Sequence, residues 1–398
     1  MSDTPATRLH VHTPSGEAGV LAHEHAYVFG CSGHAQATEA VSLTMPVRLQ
    51  AYERATLHPI FQMNLPEGYL LERLRNRLAK TSGTDPLLLL SLLGGDAPIG
   101  RLRYTTGPAL PGPAQAGERL SDILAYRGAE GLFDSLVERY INRSGLSGVQ
   151  PKVLVPEVSH KASAITDELI VKSGLQEFPG LAINEFVCMS AVAAAGIPVP
   201  EFYLSDDRSL FVMRRFDRGL DGRALGFEDM AVLSGKNAAD KYTGRYEDIA
   251  KLIKAFCPPD PAHRSLAHLF DLVAMSCLLG NGDAHLKNFG LLYEHPESDD
   301  IALAPAYDIV NTTCYLPNDS LALSLAGNKG LFAARADLLA FAVAHCNLPQ
   351  KAARARLLEL CDALSDTLKQ HAGLAAEVPG LVEALTRSLA TFRATFMK

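Results

Sequence analysis

Leu279–Leu292 reads LGNGDAHLKNFGLL, and the reading of the whole chain starts there. It follows an apolar segment, Leu266–Leu279, in which Leu266, Leu269, Phe270 and Val273 share one face at helical spacing, with Ser265 placed to cap it. A helix therefore delivers the chain into a polar loop. Gly280, Asn281, Gly282, Asp283, His285, Lys287 and Asn288 crowd that loop, and a loop so polar needs water or a ligand to satisfy it. Asp283 precedes Asn288 by five residues. Phosphoryl transfer calls for a carboxylate beside the acceptor hydroxyl and an amide oxygen for Mg²⁺, and Asp-x-x-x-x-Asn supplies both from one loop. Twenty residues past Asn288, in Ala306-Tyr307-Asp308, Asp308 offers a second hard oxygen ligand of the kind Mg²⁺ takes. Each residue alone has a plainer reading. An Asp caps a helix or fixes a turn, and His285 is a structural hydrogen-bonder to which we assign no proton transfer.

Two upstream segments turn the loop into an ordered set. Ser144–Val155 reads SGLSGVQPKVLV, where Gly145 and Gly148 permit close approach of the backbone to phosphate oxygens and Gln150 and Lys152 lead into a β-rich run. It is neither GxxxxGK[ST] nor GxGxxG, and by itself it is an ordinary turn before a strand. Lys172 ends the apolar strand Leu169–Val171, as the phosphate-gripping lysine does in kinases, and Glu185 opens the next helix thirteen residues later. A Gly-rich loop, a strand Lys, a helix Glu, Asp-x-x-x-x-Asn and a later Asp is the order a two-lobed kinase requires.

The surrounding texture agrees. Thr105–Gly117, TTGPALPGPAQAG, propagates neither helix nor ladder and reads as a linker after a first unit of about 105 residues. That unit mixes strand-like pieces at His10–His12, Gly19–Leu21 and Ala26–Phe29 with helices at Glu67–Lys80 and Leu87–Leu93. Beyond the linker, Ser121–Tyr140 reads as a helix weakened by Gly128 and Gly131. Strands are expected at Lys152–Pro156, Glu168–Lys172, Glu201–Leu204 and Leu210–Arg215, with a helix at Ile183–Ala195. From about Gly226 the pattern turns helical, ending in amphipathic segments at Ala333–His345, Gln350–His371 and Leu381–Phe396. The expected parts are residues 1–105, 106–218 and 219–398.

Composition excludes several classes. The chain has 398 residues, 47% of them hydrophobic, 37 Lys plus Arg against 44 Asp plus Glu and a formal net charge of −7, so a strongly basic nucleic-acid binder is not the default. No apolar run approaches the roughly 18–20 residues of a membrane helix, and Met1–His12 lacks the apolar core of a secretory signal. Cys31, Cys188, Cys257, Cys277, Cys314, Cys346 and Cys361 are scattered with no CxxC pair, which argues for reduced thiols rather than zinc or a redox dithiol. A cytoplasmic location is expected.

With these motifs in hand, the chain resembles a HipA-type serine/threonine kinase, the toxin of HipBA toxin–antitoxin modules, over nearly its whole length. The resemblance rests on Asn64-Leu65-Pro66-Glu67-Gly68, SGVQPK at Ser147–Lys152, IVK at Ile170–Lys172, Asn184-Glu185 and GIPVP at Gly196–Pro200. RRFDR at Arg214–Arg218, GNGDAHLKNF at Gly280–Phe289 and AYDI at Ala306–Ile309 complete it. It implies an α/β, two-lobed, protein-kinase-like fold with an N-terminal mixed α/β subdomain and a mainly helical C-lobe. Asp283 would be the catalytic base, Asn288 and Asp308 the Mg²⁺ ligands, and Lys172 an ATP-phosphate contact. Ser147, Gly148, Val149, Gln150 and Lys152 would form the phosphate loop, Arg215-Phe216 the hinge beside adenine, and His285, Lys287 and Tyr307 further nucleotide contacts. Family members autophosphorylate a serine beside this loop and shut themselves off. Gly145 stands where many relatives carry that serine, so Ser147 is the expected site here and Ser144 the second choice. A phosphoserine there would set about −1.5 to −2 charges against the nucleotide phosphates. The resemblance further implies ATP and Mg²⁺ as cofactors, an aminoacyl-tRNA synthetase as target, and a HipB-like helix-turn-helix antitoxin through which alone DNA would be reached. Two other readings use the same residues: a small-molecule phosphotransferase, and a non-catalytic ATP- and antitoxin-binding scaffold that regulates transcription.

Overall fold

The computed structural model describes residues 8–78, 85–94, 98–108, 117–127, 131–141, 150–158, 165–174, 177–219 and 221–397, with backbone only at 165–167 and 332–334. The chain divides into two compact units. The first comprises Met1–Ser173, Ser205–Ala238 and Leu292–Ser298; the second comprises Gly174–Leu204, Ala239–Leu291 and Asp299–Lys398.

In the first unit, strands β1 (Arg8–Thr13), β2 (Gly16–His23), β3 (Tyr27–Cys31), β4 (Tyr52–Arg54) and β5 (Arg103–Thr105) form an antiparallel sheet in the order β4-β3-β2-β1-β5. Leu9, Val11, Leu21, Phe29 and Tyr104 fall on its buried side. Phe61 packs on Phe29 and Tyr104, and the helix Pro86–Leu93, with Leu87, Leu90 and Leu93 buried, lies against β1 and β5; Leu70 and Leu74 of the helix Gly68–Leu78 are buried as well. Removing each such side chain from water is worth about 1.5–3 kcal/mol. Asp85 starts the second helix by accepting the Leu87 and Leu88 N–H groups at 2.9 and 3.1 Å, with Pro86 in the first turn. The sequence pattern foresaw β1 to β3 but not β4 and β5, which are three residues long and carry too short an alternation to register.

A second antiparallel set in this unit joins β6 (Lys152–Val158) to β7 (Ile165–Ser173) and β7, across its other edge, to a strand at Leu210–Arg214. Val153, Val155, Leu169, Val171, Phe211 and Val212 are buried there. Leu120–Leu124 and Leu132–Tyr140 are separate helices, not the single Ser121–Tyr140 expected, and Gly131 begins the second at φ 128°. The residues just after Gly226 are also not helical at first: Gly226–Asp229 is a strand that leads into one helical turn, Met230–Leu233.

The second unit is built on helices. Leu181–Ala194 is apolar on nearly every side and correspondingly buried. Pro259–Leu279 begins six residues before the cap expected at Ser265; that hydroxyl sits inside the helix and accepts the Leu303 N–H at 2.9 Å. Around it lie Tyr246–Phe256, Leu331–His345, Gln350–Gln370 and Leu381–Phe396. Arg356 binds both oxygens of Asp271 and donates to the Ala195 carbonyl, so one guanidinium ties Gln350–Gln370 to Pro259–Leu279 and to the end of Leu181–Ala194.

Candidate functional site

Helix Pro259–Leu279 ends abruptly because Gly280 turns left-handed, at φ 66° and ψ 41°, and the Asn281 N–H closes back on the Ser276 carbonyl at 2.8 Å. The following Gly282 has its N–H on Thr312 Oγ1 at 2.9 Å. A Cβ at Gly282 would fall 2.0 Å from Asp319 Oδ2 and 2.7 Å from the Ser320 carbonyl. These constraints present Asp283 at the exposed tip of a loop whose other residues are mostly buried: Asn281, Ala284, His285, Leu286 and Asn288. Asn281 Oδ1 accepts the Asp283 N–H at 3.0 Å, and the Tyr242 hydroxyl donates to Asp283 Oδ1 at 2.7 Å.

Asn288 serves two neighbours at once. Its Oδ1 accepts the His285 N–H at 3.0 Å and its Nδ2 approaches Asp308 Oδ2 at 3.4 Å. Asp308 is held at φ 61°, a left-handed conformation that Asp tolerates better than most residues and that aims it back at the loop. Beside it, the Tyr307 hydroxyl donates to the Lys287 carbonyl at 2.8 Å. Burial lowers the His285 pKa to about 3, with Lys241 adding to the effect, so the ring is neutral at ordinary pH. Its Nδ1 makes no hydrogen bond. The imidazole packs edge-on against the Tyr242 ring, with ring centres 5.0 Å apart.

Behind the loop stands a buried amide pair that sequence reading passed over as chemistry. Asn184 donates to the Asn311 carbonyl and accepts the Asn311 N–H, both at 2.8 Å, while Asn311 Nδ2 caps the Leu279 carbonyl at 2.6 Å. Thr312 returns its N–H to the Gly280 carbonyl at 3.0 Å and hydrogen-bonds Asp319 through its hydroxyl. Tyr242, Asn311, Thr312 and Asp319 were missed because no motif carries them; only their pairing in space gives them meaning.

In the first unit, Lys152 and Lys172 are register partners across β6 and β7, and both are buried. The Lys172 ammonium lies 5.5 Å from the centre of the Phe211 ring. Gln150 Nε2 donates to the Ser173 carbonyl at 3.3 Å. Ser144, Ser147, Gly148 and Val149 lie outside the described residues. The Arg215 side chain is engaged within the first unit. Its guanidinium is enclosed between Glu168 and Asp217 and also donates to the Pro98 carbonyl at 2.7 Å, while Asp217 accepts the Gly100 N–H at 2.7 Å. Burial opposes ionisation of Asp217, but the Arg215 and Arg218 guanidiniums outweigh it and hold the carboxyl well below its ordinary range. Phe216 packs edge-on against Phe227, with ring centres 5.6 Å apart. RRFDR is thus an ion-pair staple, and the Arg215 side chain is committed to it.

Comparison with known proteins places this arrangement. Residues 9–105 match the model of the HipA N-terminal domain, and residues 144–368, more than half of the chain, match that of the HipA-like C-terminal domain. The chain belongs to the HipA family. Among curated relatives, the Sinorhizobium fredii protein named "Putative kinase Y4dM" is 29% identical over 367 residues, covering 84% of this chain and 83% of its own. "Putative kinase Y4mE" of the same organism is 28% identical over 304 residues, 70% of each chain. The HipA chain of a Shewanella oneidensis complex of HipA, HipB and operator DNA aligns over 98% of this chain and 96% of its own, with a TM-score of 0.67 at 19% identity; it shows the same fold. The fold is accordingly α/β, two-lobed and kinase-like, as the motif order implied. Among the described residues no helix is long and apolar enough to cross a membrane.

Proposed function

We propose that this HipA-type chain is an ATP- and Mg²⁺-dependent protein serine/threonine kinase that arrests growth as a cytoplasmic toxin. The observation that carries this reading is the loop Gly280–Asn288: one exposed carboxylate, Asp283, with Asn288 and Asp308 paired five and twenty-five residues on, each held by buried or part-buried hydrogen bonds. Asp283 accepts the proton of the substrate hydroxyl as its oxygen bonds to the γ-phosphorus and the bridging bond to ADP breaks. Among the described residues no group of three His, Cys, Asp or Glu side chains could hold a metal alone. An amide oxygen and a carboxylate suit Mg²⁺ well, since it keeps water and takes substrate phosphate oxygens for its remaining positions. Bound there, Mg²⁺ would neutralise charge on the phosphates; Asn288 and Asp308 would hold it. Lys152 and Lys172, with Gln150, Ser147, Gly148 and Val149, would contact the phosphates, and His285, Lys287 and Tyr307 would shape the nucleotide site.

Inhibitory self-phosphorylation at Ser147, or failing that Ser144, belongs to this proposal, as does an aminoacyl-tRNA synthetase as target. So does a HipB-like antitoxin as partner, supported by the Shewanella HipA having been solved with HipB and operator DNA. The test is intact-mass and phosphosite mapping after incubation with ATP and Mg²⁺, wild type beside Asp283→Asn. Phosphate on Ser147 or Ser144 in the wild type alone is expected. Equal phosphate on both proteins would remove Asp283 from the role of base. ATP binding with no transfer to itself or to synthetases would favour the non-catalytic scaffold.

A further inference from the structure

Tyr242 lies on a segment that no motif marks, 41 residues before the aspartate it touches. That segment is fastened to the second unit at several points. The Leu286 N–H binds the Lys241 carbonyl at 3.1 Å, the Ser324 N–H binds the Gly244 carbonyl at 3.3 Å, and the Tyr246 hydroxyl donates to the Ala284 carbonyl at 3.0 Å. Lys329 Nζ donates to the Tyr242 carbonyl at 3.5 Å. The phenol ring stands edge-on to His285, with ring centres 5.0 Å apart and planes at 77°, and the Lys241 ammonium lies 5.1 Å from its centre. The backbone is thus tied down and one edge of the ring is packed, while the side chain stays 44% exposed and its hydroxyl reaches Asp283 Oδ1 at 2.7 Å.

An exposed aspartate on a loop tip samples several rotamers. A donor fixed by its own surroundings selects one of them, because a hydrogen bond to a charged acceptor is about twice as strong as a neutral one. Resting on the reading of Asp283 as the base, we infer that Tyr242 is a positioning residue that orients the Asp283 carboxylate by its hydrogen bond to Oδ1. In the step it supports, the acceptor oxygen bonds to the γ-phosphorus, ADP leaves with the bridging oxygen, and the hydroxyl proton passes to the Asp283 carboxylate. Tyr242 itself exchanges no proton.

The experiment follows phosphate incorporation into the full-length protein by intact mass over a series of MgATP concentrations, for wild type, Tyr242→Phe and Asp283→Asn. Phenylalanine keeps the ring on His285 and deletes only the donor. The maximal rate should fall about tenfold or more, the range expected for losing a hydrogen bond to a charged group. The half-saturating ATP concentration and the melting temperature should stay as in the wild type. A Tyr242→Phe rate equal to wild type overturns the inference, as does a faster one, which would mean that the phenol occupies the acceptor's place. A loss matched by a shift in melting temperature assigns Tyr242 to packing and overturns it too. If Asp283→Asn is silent while Tyr242→Phe is normal, this inference alone fails. If Asp283→Asn keeps full activity, or the wild type transfers nothing, the reading of the base fails and this inference goes with it.

Discussion

Gly282 has no space for a side chain, and that fact reaches the chemistry directly. An alanine there must push Asp319 off Thr312, whose hydroxyl also receives the Gly282 N–H next to Asp283. Gly282→Ala should therefore cost about 1–3 kcal/mol of stability, the usual price of overpacking, and should slow phosphate incorporation more than the fall in folded fraction explains. Denaturant unfolding beside the incorporation rate checks both parts. The two aspartates should separate by ligand. Asp283→Asn removes a proton acceptor and should leave ATP affinity nearly intact. Asp308→Ala removes an oxygen ligand and should weaken ATP binding in Mg²⁺ with little change in its absence. Calorimetric titration with and without Mg²⁺ distinguishes them; equal affinity for Asp308→Ala and wild type in Mg²⁺ would take Asp308 out of the metal site.

At the scale of elements, the RRFDR segment staples β7 to the turn at Pro98–Arg101 through one enclosed guanidinium. Replacing one member of a buried ion pair strands the others, so Arg215→Met should lower unfolding stability by about 3–5 kcal/mol in urea titrations followed by circular dichroism. Weaker ATP binding at unchanged stability would instead return Arg215 to the adenine site. This segment illustrates what a sequence yields. RRFDR was legible as a motif, and the ion pairs of its side chains were not, because a basic strand end next to an acidic residue reads alike whether it meets a ligand or Glu168. Helices Leu181–Ala194, Gln350–Gln370 and Leu381–Phe396 were legible because long apolar periodicity leaves one solution. The break near Gly131 and the early start at Pro259 were not, since local propensity there is overruled by what the ends pack against. Asp283, Asn288 and Asp308 stood out by spacing along the chain. Tyr242 and Asn311 carry no local signal, and Asn184, marked only as part of a motif, meets Asn311 from 127 residues away, so the contacts that fix that spacing in space could not be read along the chain.

Across the whole molecule, buried imidazoles set a pH dependence whose sign can be worked out. Burial lowers His58 to about 4, with Arg54 adding to the effect against a smaller pull from the Tyr52 backbone; it lowers His268 to about 4 and His285 to about 3. His12 is lowered as well, chiefly by burial. Released from the fold, each returns to about 6.5, so between roughly pH 6.5 and pH 4 the unfolded chain binds more protons than the folded one. Stability then rises with pH through that window and is fully regained above it. Glu228 and Asp271 act in the opposite sense. Burial raises both, so they take up protons earlier when folded and offset part of the loss on acidification. Among the described residues, four imidazoles lowered by burial stand against two raised carboxylates, so stability should fall from pH 6.5 to 4.5. His58 suits the test, because it is 3% exposed and burial is the largest influence on it, the Tyr52 backbone hydrogen bond being a smaller one. In His58→Gln the unfolding free energy, measured by urea titration at half-unit steps, should lose about 1 kcal/mol per pH unit of its slope between pH 4.5 and 6. A slope identical to wild type would mean that His58 is protonated in the folded protein, and the acid sensitivity would then have to reside in the remaining three.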